Sequence, residues 1–75
     1  MTPSIEISID IHIEINKKNP DYDRLADLYN ELSASIQRET ETGQISLKTA
    51  TKVLEYYQTK LEIFTLKNSI QWQLN

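Results

Sequence analysis

Isoleucine occupies every odd position from Ile5 to Ile15, in the run IEISIDIHIEI. Glu6, Ser8, Asp10, His12 and Glu14 fill the gaps. A period of two, with a β-branched residue at each apolar step, is the signature of a strand with one buried face. The alternation predicts a strand over residues 5–15, about 36 Å long at roughly 3.3 Å per residue. No other segment carries that period, so the strand has no partner within its own chain. Each buried backbone group left open along its edges would cost on the order of 1–3 kcal/mol. Pairing with a second copy is the remedy the sequence suggests. About a twofold axis, Ile5, Ile7, Ile9, Ile11, Ile13 and Ile15 would form one face of an antiparallel two-stranded ribbon.

The polar face sets the register. If Ile11 faces its own copy, Asp10 meets His12 and Ser8 meets Glu14. A centre at Ile9 pairs Glu6 with His12 and Ser8 with Asp10. A centre at Asp10 would oppose Glu6 and Glu14, which like charges disfavour. The expected centre is therefore Ile9 or Ile11, with Asp10, His12 and Glu14 as the candidate cross-strand polar pairs.

The remainder reads as helix. Asn19 followed by Pro20 suits a helix start, and Asp21 and Asp23 suit the positive end of its dipole. Tyr22, Leu25, Tyr29, Leu32 and Ile36 recur at steps of three and four, with Ala26 and Leu28 widening the stripe. This predicts a first helix over about residues 20–40. Gly43, the only glycine, is the natural left-handed terminator, and Ser46 caps the next helix. Ile45 is placed to staple onto Ala50. The second helix, about Ser46 to Ile70, carries two stripes. Leu47, Ala50, Leu54, Tyr57, Leu61 and Phe64 form one, and Val53, Tyr56, Ile63, Leu66 and Ile70 the other. Two stripes imply two partners: the first helix and the isoleucine face. Glu39 and Glu41 would lie near Lys48 and Lys52 in an antiparallel hairpin, and Asp21 and Asp23 toward Lys67. Trp72 and Leu74 form an apolar tail past the expected helix end.

Taken together these readings predict an α+β fold: one long N-terminal strand, then an antiparallel αα-hairpin, with the strand paired across a dimer. Residues 1–75 would be a single small dimerising β-α-α domain. A chain of this size has a marginal core, and without cysteine it has neither disulfides nor thiolate metal sites to add to it, which also favours association. The ribbon's edges would be open, so a higher even oligomer is compatible with the same surfaces.

The net charge of −3 disfavours a polyanionic partner. No apolar run approaches a membrane span, and no basic region followed by a hydrophobic run marks a signal peptide, so a cytoplasmic protein is expected. Asp10, His12 and Glu14 on one strand face would be nearly 7 Å apart, too wide for three ligands on one ion. The tyrosines Tyr22, Tyr29 and Tyr57 fall on core stripes, and Lys17 and Lys18 mark a wet turn. No glycine-rich loop or nucleophile–base pair can be placed. The reading is a small homo-oligomeric protein-interaction, accessory or adaptor protein, with no catalysis, metal or cofactor, and with another protein as the expected partner.

The order strand, helix, helix, with strands paired across a dimer, resembles the ribbon-helix-helix family over residues 5–70. That resemblance implies the alternative function, a DNA-binding repressor or antitoxin. The outward residues Glu6, Ser8, Asp10, His12 and Glu14 would then be base readers. Family members usually place Arg, Lys, Gln or Asn there, and three carboxylates would face a polyanion. The stretch TGQISLKTATKVLEYY is also similar to helical-hairpin subunits such as the small subunit of exonuclease VII. That likeness covers about a third of the chain and implies only a hairpin.

Overall fold

The computed structural model describes residues 3–74, and their side chains as far as Leu66. Three helices follow one another: α1 (Pro3–Ile15), α2 (Tyr22–Glu41) and α3 (Leu47–Leu74). No strand occurs among the described residues. The α+β fold, the β-α-α domain and the intermolecular β-ribbon are thereby corrected. The ribbon-helix-helix resemblance goes with them, because its defining strand is a helix here.

The physical reason lies in the pattern itself. Every period-two repeat contains a repeat at four. Residues four apart on an α-helix are about 400° apart, close to a full turn. Wound as a helix, the alternating run becomes two apolar stripes: Ile7, Ile11 and Ile15 on one side, Ile5, Ile9 and Ile13 nearly opposite. A helix also closes its backbone hydrogen bonds within itself. The open edges that seemed to demand a second chain therefore do not exist. Isoleucine costs up to ~0.7 kcal/mol relative to alanine in a helix. Full burial of one such side chain returns about 1.5–3 kcal/mol. Pro3 opens α1 at its first position, where a missing N–H costs nothing.

α2 is the centre of the bundle. It contributes Leu25, Leu28, Leu32 and Ile36 to the buried core, beside Ile11 from α1 and Ala50 and Tyr57 from α3. α1 and α3 both run antiparallel to α2 and so parallel to each other: Ser4 reaches Glu39, Tyr22 lies against Phe64, and His12 meets Tyr57. Both pack closely on α2 but touch each other only through side chains.

The two expected helices are present with shifted ends. α2 is capped by Asp21, whose Oδ1 accepts the Asp23 and Arg24 N–H groups at 3.0 and 3.3 Å. Asn19 does not cap it, because the helix begins two residues later than expected, at Tyr22. At the other end Gly43 takes φ +77°, as a left-handed terminator does. Ser46 Oγ accepts the Thr49 N–H at 3.1 Å, as an N-cap should. α3 runs on through Trp72, so the expected apolar tail belongs to the helix. The side chains of Lys67, Ile70, Trp72 and Leu74 lie outside the described ones. No ion pair joins Glu39 or Glu41 to Lys48 or Lys52 among the described residues.

Candidate interaction surface

The two isoleucine stripes of α1 meet different surroundings. Ile11 is 0% exposed, and Ile7 and Ile15 pack partly buried against the core. Ile5, Ile9 and Ile13 are 47%, 45% and 55% exposed. Helical spacing puts Glu6 and Asp10 on one flank of this outer stripe, and Ser8 and His12 on the other, toward α3. Beyond His12 the surface crosses to Lys60, whose Nζ is 3.4 Å from His12 Nδ1. Lys60 also stands over the Tyr56 ring, 5.5 Å from its centroid. Tyr56 and Ile63 of α3 are more than half exposed. With Lys52, Glu55, Thr59 and Lys60 they line an open groove of about 560 Å³. One side of the molecule thus carries an apolar ridge on α1 and, parallel to it, a groove on α3.

The three polar residues singled out on one strand face are separated by the helix. Asp10 is exposed. His12 Nε2 lies 3.1 Å from Tyr57 Oη, with the two rings edge to face. The Lys60 ammonium can only donate, and its two nearest acceptors are His12 Nδ1 and Tyr56 Oη, each at 3.4 Å. Glu14 is 3% exposed and fully engaged. Its Oε2 accepts the Asp21 N–H at 3.1 Å, and its Oε1 accepts Lys17 Nζ at 3.0 Å with Arg24 Nε at 3.7 Å. The Asp21 N–H, then the Lys17 hydrogen bond, hold the Glu14 carboxyl below the usual range; burial opposes them, and the charges of Lys17 and Arg24 add to the lowering. Glu14 is a staple across the turn between α1 and α2. Lys17, expected to mark a wet turn, is one of its anchors.

Sequence reasoning missed a second buried carboxylate. Glu39 is 4% exposed at the far end of the bundle. Its Oε1 accepts Ser4 Oγ at 2.8 Å, while its buried Oε2 has no hydrogen-bond partner. One signal was available: Leu25, Leu28, Leu32, Ile36 and Glu39 continue a single stripe at steps of three and four. Among the tyrosines, Tyr57 is buried and Tyr29 partly so, as expected. Tyr22 is more exposed but stacks on Phe64 at 5.3 Å. No group of three or more His, Asp or Glu able to hold a metal occurs among the described residues. Nor is any described helix long and apolar enough to cross a membrane.

No protein-family model matches the chain, and no curated protein or solved structure matches it either.

Proposed function

We propose that the protein is a small non-catalytic assembly subunit that pairs with its own copy through the α1 ridge and the α3 groove. The observation that carries this reading is the exposed triplet Ile5, Ile9 and Ile13, three large apolar side chains in one row. Apolar rows of this kind mark interaction sites. Three half-exposed isoleucines alone fall well short of the ~800 Å² per partner of a standard interface. The neighbouring Tyr56 and Ile63 enlarge the apolar area, and a second copy supplies the matching shape.

Charge selects the arrangement. In an antiparallel twofold pair each flank would meet its own copy, acidic against acidic. A twofold axis parallel to α1 instead lays each isoleucine ridge on the partner's α3 groove and preserves height along the bundle. Glu6 and Asp10 then approach the partner's Lys52. Opposite charges at such a rim set orientation more than affinity. The cytoplasmic setting is part of the proposal and rests on the sequence reading alone.

Sedimentation equilibrium from about 1 to 100 μM, a range suited to a weak interface, tests it. The expected result is a reversible dimer that Ile9→Asp converts to monomer without loss of far-ultraviolet helicity. A monomer throughout the range, or an Ile9→Asp variant that pairs as well as the parent, would overturn the reading.

A further inference from the structure

At the end of the bundle that holds Gly43, beside the Ile5 end of the pairing ridge, α1 and α3 stand apart. The gap is a groove of about 350 Å³ whose lining includes Ile5, Ile45 and Val53 and the hydroxyl residues Ser8 and Thr49. Glu39 reaches its wall from α2. A carboxylate oxygen taken from water and left without a donor is costly, and native structures seldom leave one so. The neighbouring cation does not answer it: Arg38 donates from Nη2 to Ser35 Oγ at 3.2 Å and forms no ion pair with Glu39. Oε2 is itself buried, so a ligand that reaches it must displace the side chains that cover it while Ser4 keeps Oε1.

We propose that this groove binds a primary ammonium on a short apolar stem, with Glu39 Oε2 accepting its hydrogen bond. Three features select that chemistry. The vacant atom is an acceptor on a carboxylate, so it takes a cationic donor. Only one oxygen is vacant, because Ser4 occupies Oε1. A guanidinium fork binds carboxylates best through both oxygens, whereas an ammonium is a point donor satisfied by one. The walls around it are largely aliphatic, with one carboxylate and otherwise neutral hydroxyls, a poor set for a metal ion but one that suits a hydrocarbon stem. The oxygens of Ser8 and Thr49 can take the ammonium's remaining N–H groups. Such a head and stem belong equally to a free alkylamine and to a lysine side chain of another protein.

The experiment is a titration of the intact chain followed by amide and side-chain carboxyl NMR shifts. The probes are butylammonium, Nα-acetyl-lysine N-methylamide, butylguanidinium and the uncharged butanol. Saturable shifts at Ile5, Ser8, Thr49, Val53 and the Glu39 carboxyl are expected with the two ammonium probes, with a Kd on the order of 1–10 mM. Butylguanidinium and butanol should bind at least about tenfold more weakly. Tighter binding of the lysine derivative would assign the site to a protein partner, and tighter binding of butylammonium to a free amine. Glu39→Gln should lose at least about tenfold in affinity. Ser8→Leu, which fills the groove and leaves Glu39 intact, should abolish binding while amide dispersion shows the fold retained. Equal binding of butanol and butylammonium, undiminished binding in Glu39→Gln, or no saturable shift by about 100 mM would overturn the proposal.

Discussion

Ile9 and Ile11 are the same residue type, two positions apart on one helix, and they meet opposite surroundings. Ile11 is enclosed by α2 and α3, whereas Ile9 stands nearly half exposed. The carboxylates between the stripes repeat the contrast. Glu14 is buried and held by the Asp21 amide, Lys17 and Arg24, while Asp10, one turn earlier on the same flank, is exposed. Composition therefore does not decide what a residue contributes here. The angle at which the helix presents it does.

The largest effect expected from breaking this contrast is at the inner stripe. Ile11→Ala should destabilise the fold by about 2–5 kcal/mol in urea denaturation, because it opens a cavity at a fully enclosed site. Comparable stability of Ile11→Ala and the parent would mean that the inner stripe is not core.

A smaller loss is expected at Glu14, and its pH dependence makes it specific. The native state holds this carboxyl below its usual value, so it favours the ionised form relative to the unfolded chain. The resulting stabilisation is complete above the ordinary glutamate value of about 4.3 and fades as pH falls through the lower native value. Glu14→Gln should be less stable than the parent at pH 7, and the difference should shrink on acidification. A gap that stays constant down to pH 2.5 (about two units below that ordinary value) would contradict the staple.

The smallest effect belongs to the outer stripe. Ile9→Ala should change monomer stability by about 0.5 kcal/mol or less. Alanine's better helix propensity offsets the little burial that is lost. Measured at concentrations low enough to suppress pairing, a loss at Ile9 equal to that at Ile11 would erase the distinction between the two stripes.

Much of α2 and α3 was legible in the sequence. The steps of three and four picked out Leu25, Leu32, Ile36, Ala50 and Tyr57, all of which are buried, and the glycine and serine signals placed the turn between the helices. What was illegible was the conformation of α1, because an alternating pattern fits a one-faced strand and a two-striped helix alike. β-branching favours the strand locally. The decision is made by α2, whose wide apolar side offers α1 a surface to cover, and by the helix's ability to satisfy its own backbone. Pro3 was the local sign of a helix start, and the unpaired edges of the supposed strand were the global sign against it. The candidate sites shared this fate. His12 and Glu14 proved to be engaged, but with Tyr57, Lys60, Lys17 and Arg24, partners that only the helical arrangement brings near. Glu39 was concealed because an acidic residue near a helix end reads as solvated until α1 is known to cover it.

The most direct test is the backbone conformation of residues 5–15 in solution, read from 13Cα secondary chemical shifts together with side-chain NOEs. Uniformly positive secondary shifts from Ser4 to Ile15 are predicted, with NOEs to the α2 and α3 core from Ile11 and none from Ile9. Negative shifts across the run, with interstrand Hα–Hα NOEs between copies, would contradict the account and restore the ribbon.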